Sequence, residues 1–233
     1  ALAAVQWDGV DLVWFNGDMV SDPTAEKQIF RAAVDPSVEL FATKIPLAYV
    51  RGNHETRGAL ARSFMDYFPM PGERYYFSLQ HGGVHFLVLD AGEDKGDHNV
   101  EYSGLVDFEP YLKQETEWLK QEVQSKAFQE AKFRVVMMHI PPGEMMDPKF
   151  IREKWVMDNW GPLFNQGKVD VVLSGHTHVF AVVPPSEGKN AYPIIIGGTD
   201  TVIRGDVRGD QMTLVVTDNE GKTVLSSTGL KRK

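Results

Sequence analysis

Asp18, Asn53, His54, His139, His176 and His178 are the residues of this chain whose types could perform chemistry together. Imidazole nitrogens, a carboxylate and an amide oxygen are ligands for hard and borderline divalent cations. Histidine is also the side chain that exchanges protons near neutral pH. Each of the six follows closely on a short apolar run. The run 10–15 leads into Asn16-Gly17-Asp18, and 46–50 leads into Arg51-Gly52-Asn53-His54. The run 135–138 stops at His139, and 169–173 stops at Ser174-Gly175-His176-Thr177-His178. Apolar runs of this length between polar segments read as buried strands of an α/β sheet. Ligands bind such sheets at the carboxyl ends of the strands. The convergence points to a metal-dependent hydrolase.

Each piece also has a plainer reading. In an extended segment, residues two apart point the same way, so His176 and His178 address one cluster; a polar turn holding two histidines is the alternative. Gly-Asn alone is more often a turn, but the Asn53 carbonyl oxygen suits a cation and His54 then projects toward a leaving group. Asp18 after Gly17 could cap a helix, yet a carboxylate can bridge two cations through its two oxygens. A lone His139 after a strand is commonly a hydrogen-bonded core residue. All four pieces at the same end of candidate parallel strands disfavour the plain readings taken together.

The elements that must position these residues alternate in type. A helix is expected over 25–34, with Asp22 or Thr24 as N-cap and Pro23 near its first turn. A short helix over 58–67 follows the second strand, then a hairpin of 75–79 and 84–89 around Gln80-His81-Gly82-Gly83. Residues 91–109 read as a long polar loop, either a solvated surface or a cover over the site that selects its substrates. Leu112, Trp118, Leu119 and Val123 mark the apolar face of a helix over about 110–125. Pro141-Pro142 keeps a helix from starting directly after His139. A second helix over 149–164 is interrupted by Gly161-Pro162. Strands over 169–173, 179–183, 194–196, 212–217 and 223–227 complete the chain. One α/β domain spanning 1–233 with two packed sheets is the simplest account. Ala1-Leu2-Ala3-Ala4-Val5 reads as the tail of a helix, so a chain truncated at its N-terminus is expected.

Composition narrows the classes. With 233 residues and 42% hydrophobic content the chain can build one large core. No stretch approaches the ~20 apolar residues of a membrane span. The net charge of −8 disfavours a nucleic-acid-binding patch. Anionic substrates would have to be attracted locally, for instance by bound cations. The absence of cysteine removes disulfides and thiolate metal sites without identifying a compartment.

Gly17-Asp18, Gly52-Asn53-His54-Glu55, a strand-terminal His139 and Gly175-His176-Thr177-His178, in that order, resemble the calcineurin-like metallophosphoesterases. The resemblance extends to the strand 84–90 and to Trp118-Leu119. It implies a four-layer α/β/β/α sandwich with two divalent metal ions (Mn, Fe or Zn) at the C-terminal strand ends. It further implies that Asp18 bridges the metals, that Asn53, His139 and His176 complete one shell, and that His178 serves the other. A metal-bridging hydroxide would attack the phosphorus of a phosphate mono- or diester, with His54 as general acid. The family's first motif, Asp-x-His, is absent, so its strand is expected to be missing from this chain. Ser21 stands where purple acid phosphatases have a metal-ligating Tyr, and Ser21-Asp22 where protein Ser/Thr phosphatases have Asp-Arg. A general phosphomonoesterase or phosphodiesterase is therefore expected, acting on a small phosphate ester. The alternative is a non-catalytic metal- or phosphate-binding protein that keeps one metal site.

Arg57, three residues past His54, reads either as a phosphate clamp or as a surface charge. His85 is expected to be structural, His81 a hairpin residue, and His98 part of the acidic 91–109 loop. Met145 and Met146 line a pocket or fill core. Substrate, metal identity, oligomeric state and localisation are not legible.

Overall fold

A computed structural model describes residues 2–143 and 150–231. Met145 and Met146 lie outside the described residues. Strands β1 (Val13–Asn16) and β2 (Leu47–Val50) pair in parallel, with Asn16 opposite Val50. That register sets the segments following the two strands side by side.

A six-stranded sheet contains β3 (Phe77–His81), β4 (Val84–Leu89), β5 (Phe133–Met138), β6 (Val171–Ser174), β7 (Ala181–Val183) and β8 (Ile194–Ile196). Its order is β3-β4-β5-β6-β8-β7, with β4, β5, β6 and β8 parallel and an antiparallel strand at each edge. A third, antiparallel sheet has the order β11-β10-β9, from β9 (Thr201–Arg208), β10 (Gln211–Asp218) and β11 (Thr223–Lys231).

The central strands are apolar on both faces because both faces are covered. Along β5, Phe133, Val135 and Met137 enter one core, while Val136 and Met138 enter another. The first core adds Phe15 of β1, Tyr49 of β2, and Met212, Leu214 and Val216 of β10. Ile29, Ala33 and Phe41 join it from a helix, α1, that runs from 26 to 42. Helix α2 (Phe64–Tyr67) adds Phe64 to the same core, and a second helical layer covers the other core. That layer comprises α3 (Phe108–Glu122), α4 (Lys126–Glu130), α5 (Arg152–Asn159) and α6 (Gly161–Gly167). Leu112, Leu119, Phe128, Val156 and Phe164 from these helices pack in the second core. The layering is the expected α/β/β/α sandwich.

Several boundaries differ from the sequence reading. The first strand starts at Val13, not at residue 10. Helix α1 continues past residue 34 through two wider turns, 30–34 and 38–42. Pro36 sits between those turns, where the regular hydrogen-bond ladder is already interrupted. Of 58–67 only α2 is helical, and the helix expected over 149–164 is described from Arg152 and breaks between α5 and α6 at Trp160. Strand β9 is not foreseen, because Gly205 and its charged neighbours obscure any alternation. The 91–109 loop is not a solvated surface at its start: residues 91–96 are buried. Their charges are paired, Glu93 with Arg57 and Lys95 with Glu101, and the Arg152 Nε donates to the Glu93 carbonyl oxygen at 2.8 Å. His85 is buried and its Nε2 lies 3.0 Å from Glu122 Oε1, the structural role expected.

Among the described residues no helix is long and apolar enough to cross a membrane. Trp160 is fully buried where α5 meets α6, and its Nε1–H donates to Thr116 Oγ1 at 2.7 Å. Trp160→Ala leaves a cavity and removes the donor to Thr116 Oγ1, and should cost about 3–5 kcal/mol in urea unfolding. A loss below about 1 kcal/mol would show that α5 and α6 contribute little to the second core.

Candidate metal centre

The parallel register of β1 and β2 delivers Asp18 and Asn53 to one place, and β5 and β6 deliver His139 and His176 to the same place from the other sheet. Ligand atoms of Asp18, His139 and His176 all lie within 4.8 Å of one another. Asp18 Oδ2 is 2.9 Å from His139 Nε2. His176 Nδ1 is 3.1 Å from Asn53 Oδ1, and the His139 and His176 rings stand edge to face with centroids 5.3 Å apart.

Orientation is fixed from behind. His139 Nδ1 lies 2.7 Å from the Asn16 carbonyl oxygen, so its proton sits there and Nε2 faces Asp18. Asn16 Nδ2 donates to the Leu173 carbonyl oxygen at 3.2 Å, a second bond between the sheets. His139 Nε2 is buried and, despite its proximity to Asp18, makes no aligned hydrogen bond. The carboxylate and the imidazole, paired by charge in the metal-free chain, thus converge on one point. This donor set fits a divalent cation.

Close approach is also built into the glycines. Gly17 has φ of 79°, and a β-carbon there would run into the His139 ring. A β-carbon at Gly52 would strike the Asp18 backbone and carboxylate. Asp18 and His176 themselves hold left-handed conformations, φ 56° and 70°, a strain that clusters at functional sites.

Glu55 is the functional residue that the sequence reading quoted without assigning it a task. Fully buried, it accepts from the backbone N–H groups of Asp18 (2.9 Å), Val20 (3.0 Å) and Gly52 (2.8 Å), and from the Tyr49 hydroxyl (2.8 Å). One carboxylate thus ties the loop after β1 to the turn after β2. Asp18 Oδ1 in turn accepts from the His54 backbone N–H at 3.0 Å. The signal available in the sequence is an acidic residue directly after Asn53-His54 in an otherwise glycine-rich turn.

His54 stands at the rim, about a third exposed, with Nε2 4.0 Å from Asp18 Oδ2 and Nδ1 3.9 Å from Asp22 Oδ1. His178 is not brought into the group. His176 and His178 (φ 64°) both turn through left-handed geometry, so the segment is bent rather than extended. The two-apart rule therefore fails here, and His178 is exposed. Arg57 is engaged: its Nε and Nη2 each donate to the buried Glu93 carboxylate at 2.7 Å. Thr56 Oγ1 donates to the same carboxylate at 2.9 Å, and Tyr102 to Asp94 Oδ1 at 2.8 Å. The guanidinium fork is thereby directed at the protein's own carboxylate, locking the 93–95 segment beside the His54 turn.

Electrostatics follow from this packing. Burial alone would raise the Asp18 pKa, but His139 and the His54 N–H outweigh it and hold Asp18 down at about 2. Burial would lower His139, and Asp18 reverses that to a net rise. His176 is pushed down to about 4 by burial and by the neighbouring His139, so its imidazole is neutral at pH 7.

The profile of the calcineurin-like phosphoesterases matches residues 2–180, and the chain belongs to that family. It is similar to purple acid phosphatase 23 of Arabidopsis thaliana, 24% identical over 153 residues that make up 61% of this chain and 30% of the relative. It is also similar to serine/threonine-protein phosphatase CPPED1 of Bos taurus, 32% identical over 140 residues, 58% of this chain and 42% of that protein. The chain thus spans less than half the length of these relatives. Among solved structures, the purple acid phosphatase PPD1 from yellow lupin (Lupinus luteus) shares the fold. Its TM-score is 0.71 at 15% identity, with 97% of this chain and 48% of that chain covered.

Two outcomes are expected. Glu55→Ala strands four donors around a buried gap and should cost about 3–5 kcal/mol by urea unfolding; a loss under about 1 kcal/mol would remove Glu55 from its central role. The second concerns pH in the metal-free protein. The contribution of Asp18 is complete above its ordinary value of 3.8 and is lost as pH falls through about 2. The contribution of His139 is complete below 6.5 and is lost as pH rises through its elevated folded value. Asp18→Asn should therefore destabilise more at about pH 5.5 than at about pH 9, and equal losses would contradict the pairing.

Proposed function

We propose that this chain is a metal-dependent phosphoesterase that hydrolyses small phosphate mono- or diesters, with 1–233 acting as one catalytic domain. The observation that carries the reading is the convergence of Asp18, His139 and His176 within 4.8 Å across two sheets. Membership of the calcineurin-like family supports it. Asp18, Asn53, His139 and His176 would hold the metal, whether Mn, Fe or Zn. Bound divalent cations supply the charge that neutralises phosphoryl oxygens and the acidified water that attacks phosphorus.

The chain's own residues do the rest. Neutral His176 and carboxylate Asp18 offer lone pairs at pH 7 without first losing a proton. His139 must give up the proton that Asp18 favours. His54, at the exposed rim between Asp18 and Asp22, is placed to give a proton to the leaving oxygen. The pair of partly exposed Arg57 and buried Glu93 braces the turn that carries His54.

A second reading is favoured by one observation: among the described residues, the ligand group holds Asp18, His139 and His176 but not His178. It is a non-catalytic protein binding a single metal ion or a phosphate.

Assays with p-nitrophenyl phosphate and its bis-ester, with added Mn²⁺, Zn²⁺ or Fe²⁺, decide between the two. The phosphoesterase reading expects metal-stimulated turnover. One bound metal ion with no turnover on either ester would favour the second reading. His54→Ala should lower turnover of an alkyl phosphate by about 10²–10⁴-fold with metal content retained. Unchanged turnover removes His54 as the proton donor. Asp18→Asn and His176→Ala should each deplete metal in elemental analysis, and full occupancy in both would refute the proposed ligands.

A further inference from the structure

Glu153 lies in the first turn of α5, outside every motif of the sequence, yet it reaches the proposed metal centre. Its Oε1 is 3.7 Å from His176 Nε2, and its Oε2 is buried with no hydrogen-bond partner. The helix start is clamped in place. The Arg152 backbone N–H donates to the Asp94 carbonyl oxygen at 3.2 Å, and the buried Arg152 side chain donates to the Glu93 carbonyl oxygen at 2.8 Å. The Glu153 carbonyl oxygen accepts from the Gly143 N–H at 3.1 Å, tying α5 to the turn that follows His139. Glu153 is therefore held beside His176 by its own backbone and by its neighbour's side chain.

The chemistry of the pair is asymmetric. A carboxylate can only accept, so it favours the His176 tautomer with the proton on Nε2. That leaves the Nδ1 lone pair on the opposite side of the ring, 3.1 Å from Asn53 Oδ1. Two lone pairs at this separation repel each other unless a cation lies between them. Ligands at right angles around a cation, with bonds of about 2.1 Å, stand roughly 3 Å apart. The opposite tautomer would turn an imidazole lone pair against the Glu153 carboxylate.

We propose that Glu153 is a positioning residue for the metal centre: it holds the Nε2–H tautomer of His176 and so presents Nδ1, with Asn53 Oδ1, to the cation. The inference rests on the ligand set proposed above. The separation of 3.7 Å exceeds a hydrogen bond. Contacts of this kind are commonly long before the ligand binds and close when it does.

The test uses the metal-free chain and Zn²⁺. In two-bond ¹H–¹⁵N spectra of the Zn²⁺-loaded wild type near pH 7, His176 should show Nε2–H with Nδ1 unprotonated; an Nδ1–H pattern overturns the proposal without any variant. By calorimetric titration, Glu153→Ala should bind Zn²⁺ about 10–100-fold more weakly. Glu153→Gln, which keeps an acceptor oxygen of the same reach, should recover most of that loss. If His176→Ala weakens Zn²⁺ binding while Glu153→Ala binds as wild type does, the positioning role fails and the ligand set stands. If His176→Ala also binds as wild type does, the ligand set itself fails.

Discussion

The buried carboxylate of Glu55 is the constraint on which the site depends. Burying a charge is tolerable only when its lone pairs are filled, and four donors fill these. Each bond also settles the backbone of a neighbouring loop. The Asp18 N–H is committed to Glu55, which turns the Asp18 side chain toward His139. Gly52 N–H is committed to the same oxygen, which leaves Asn53 and His54 to emerge on the far side of the turn. Breaking this node would release both loops together, because neither has a ladder of its own to fall back on.

A second buried polar network stands next to the first. Arg51 pairs with Asp90, its guanidinium stacks over Tyr75 at 3.6 Å, and Tyr111 donates to Asp90 at 2.9 Å. Glu115 accepts from the Asp90 N–H at 2.8 Å. Burial, followed by the charge of Asp90, pushes Glu115 well above the usual carboxylate range. A second negative charge beside Asp90 is thereby disfavoured at this site. The network joins the end of β4 to the residue just before Gly52, so the His54 turn is braced from the sequence side as well as by Glu55.

The fold class and the core of the site are legible in the sequence because period and position are enough to find them. Asp18, Asn53, His139 and His176 each end an apolar run, and strands must end somewhere along the same edge. What escapes is geometry that no period reports. The left-handed turns at His176 and His178 separate two histidines that an extended segment would align. The burial of 91–96 escapes because Glu93, Asp94 and Lys95 read as surface residues until their partners are known. Arg57 and Glu93 are 36 residues apart, and only the folded chain brings them together. Glu153 escapes for the same reason: nothing local marks a glutamate in an amphipathic helix as facing inward. Strand β9 is lost to a glycine and to charges that pair along its own length, as Arg204 does with Asp206 at 3.2 Å.

The centre straddles two sheets that share no strand pairing, Asp18 and Asn53 belonging to one and His139 and His176 to the other. Spacing between the donors is therefore set by how the first core keeps the sheets apart. Phe15, Tyr49, Val135 and Met137 act as shims in a clamp, and Asn16 supplies its polar stitches across the gap. A cation seated there would be a crosslink between the halves of the molecule, resisting their shear. Preference among ions of different radius then becomes a property of aliphatic and aromatic packing some distance from any ligand. Metal selectivity at the proposed centre would then drift through changes in the core while every residue of the site stays the same.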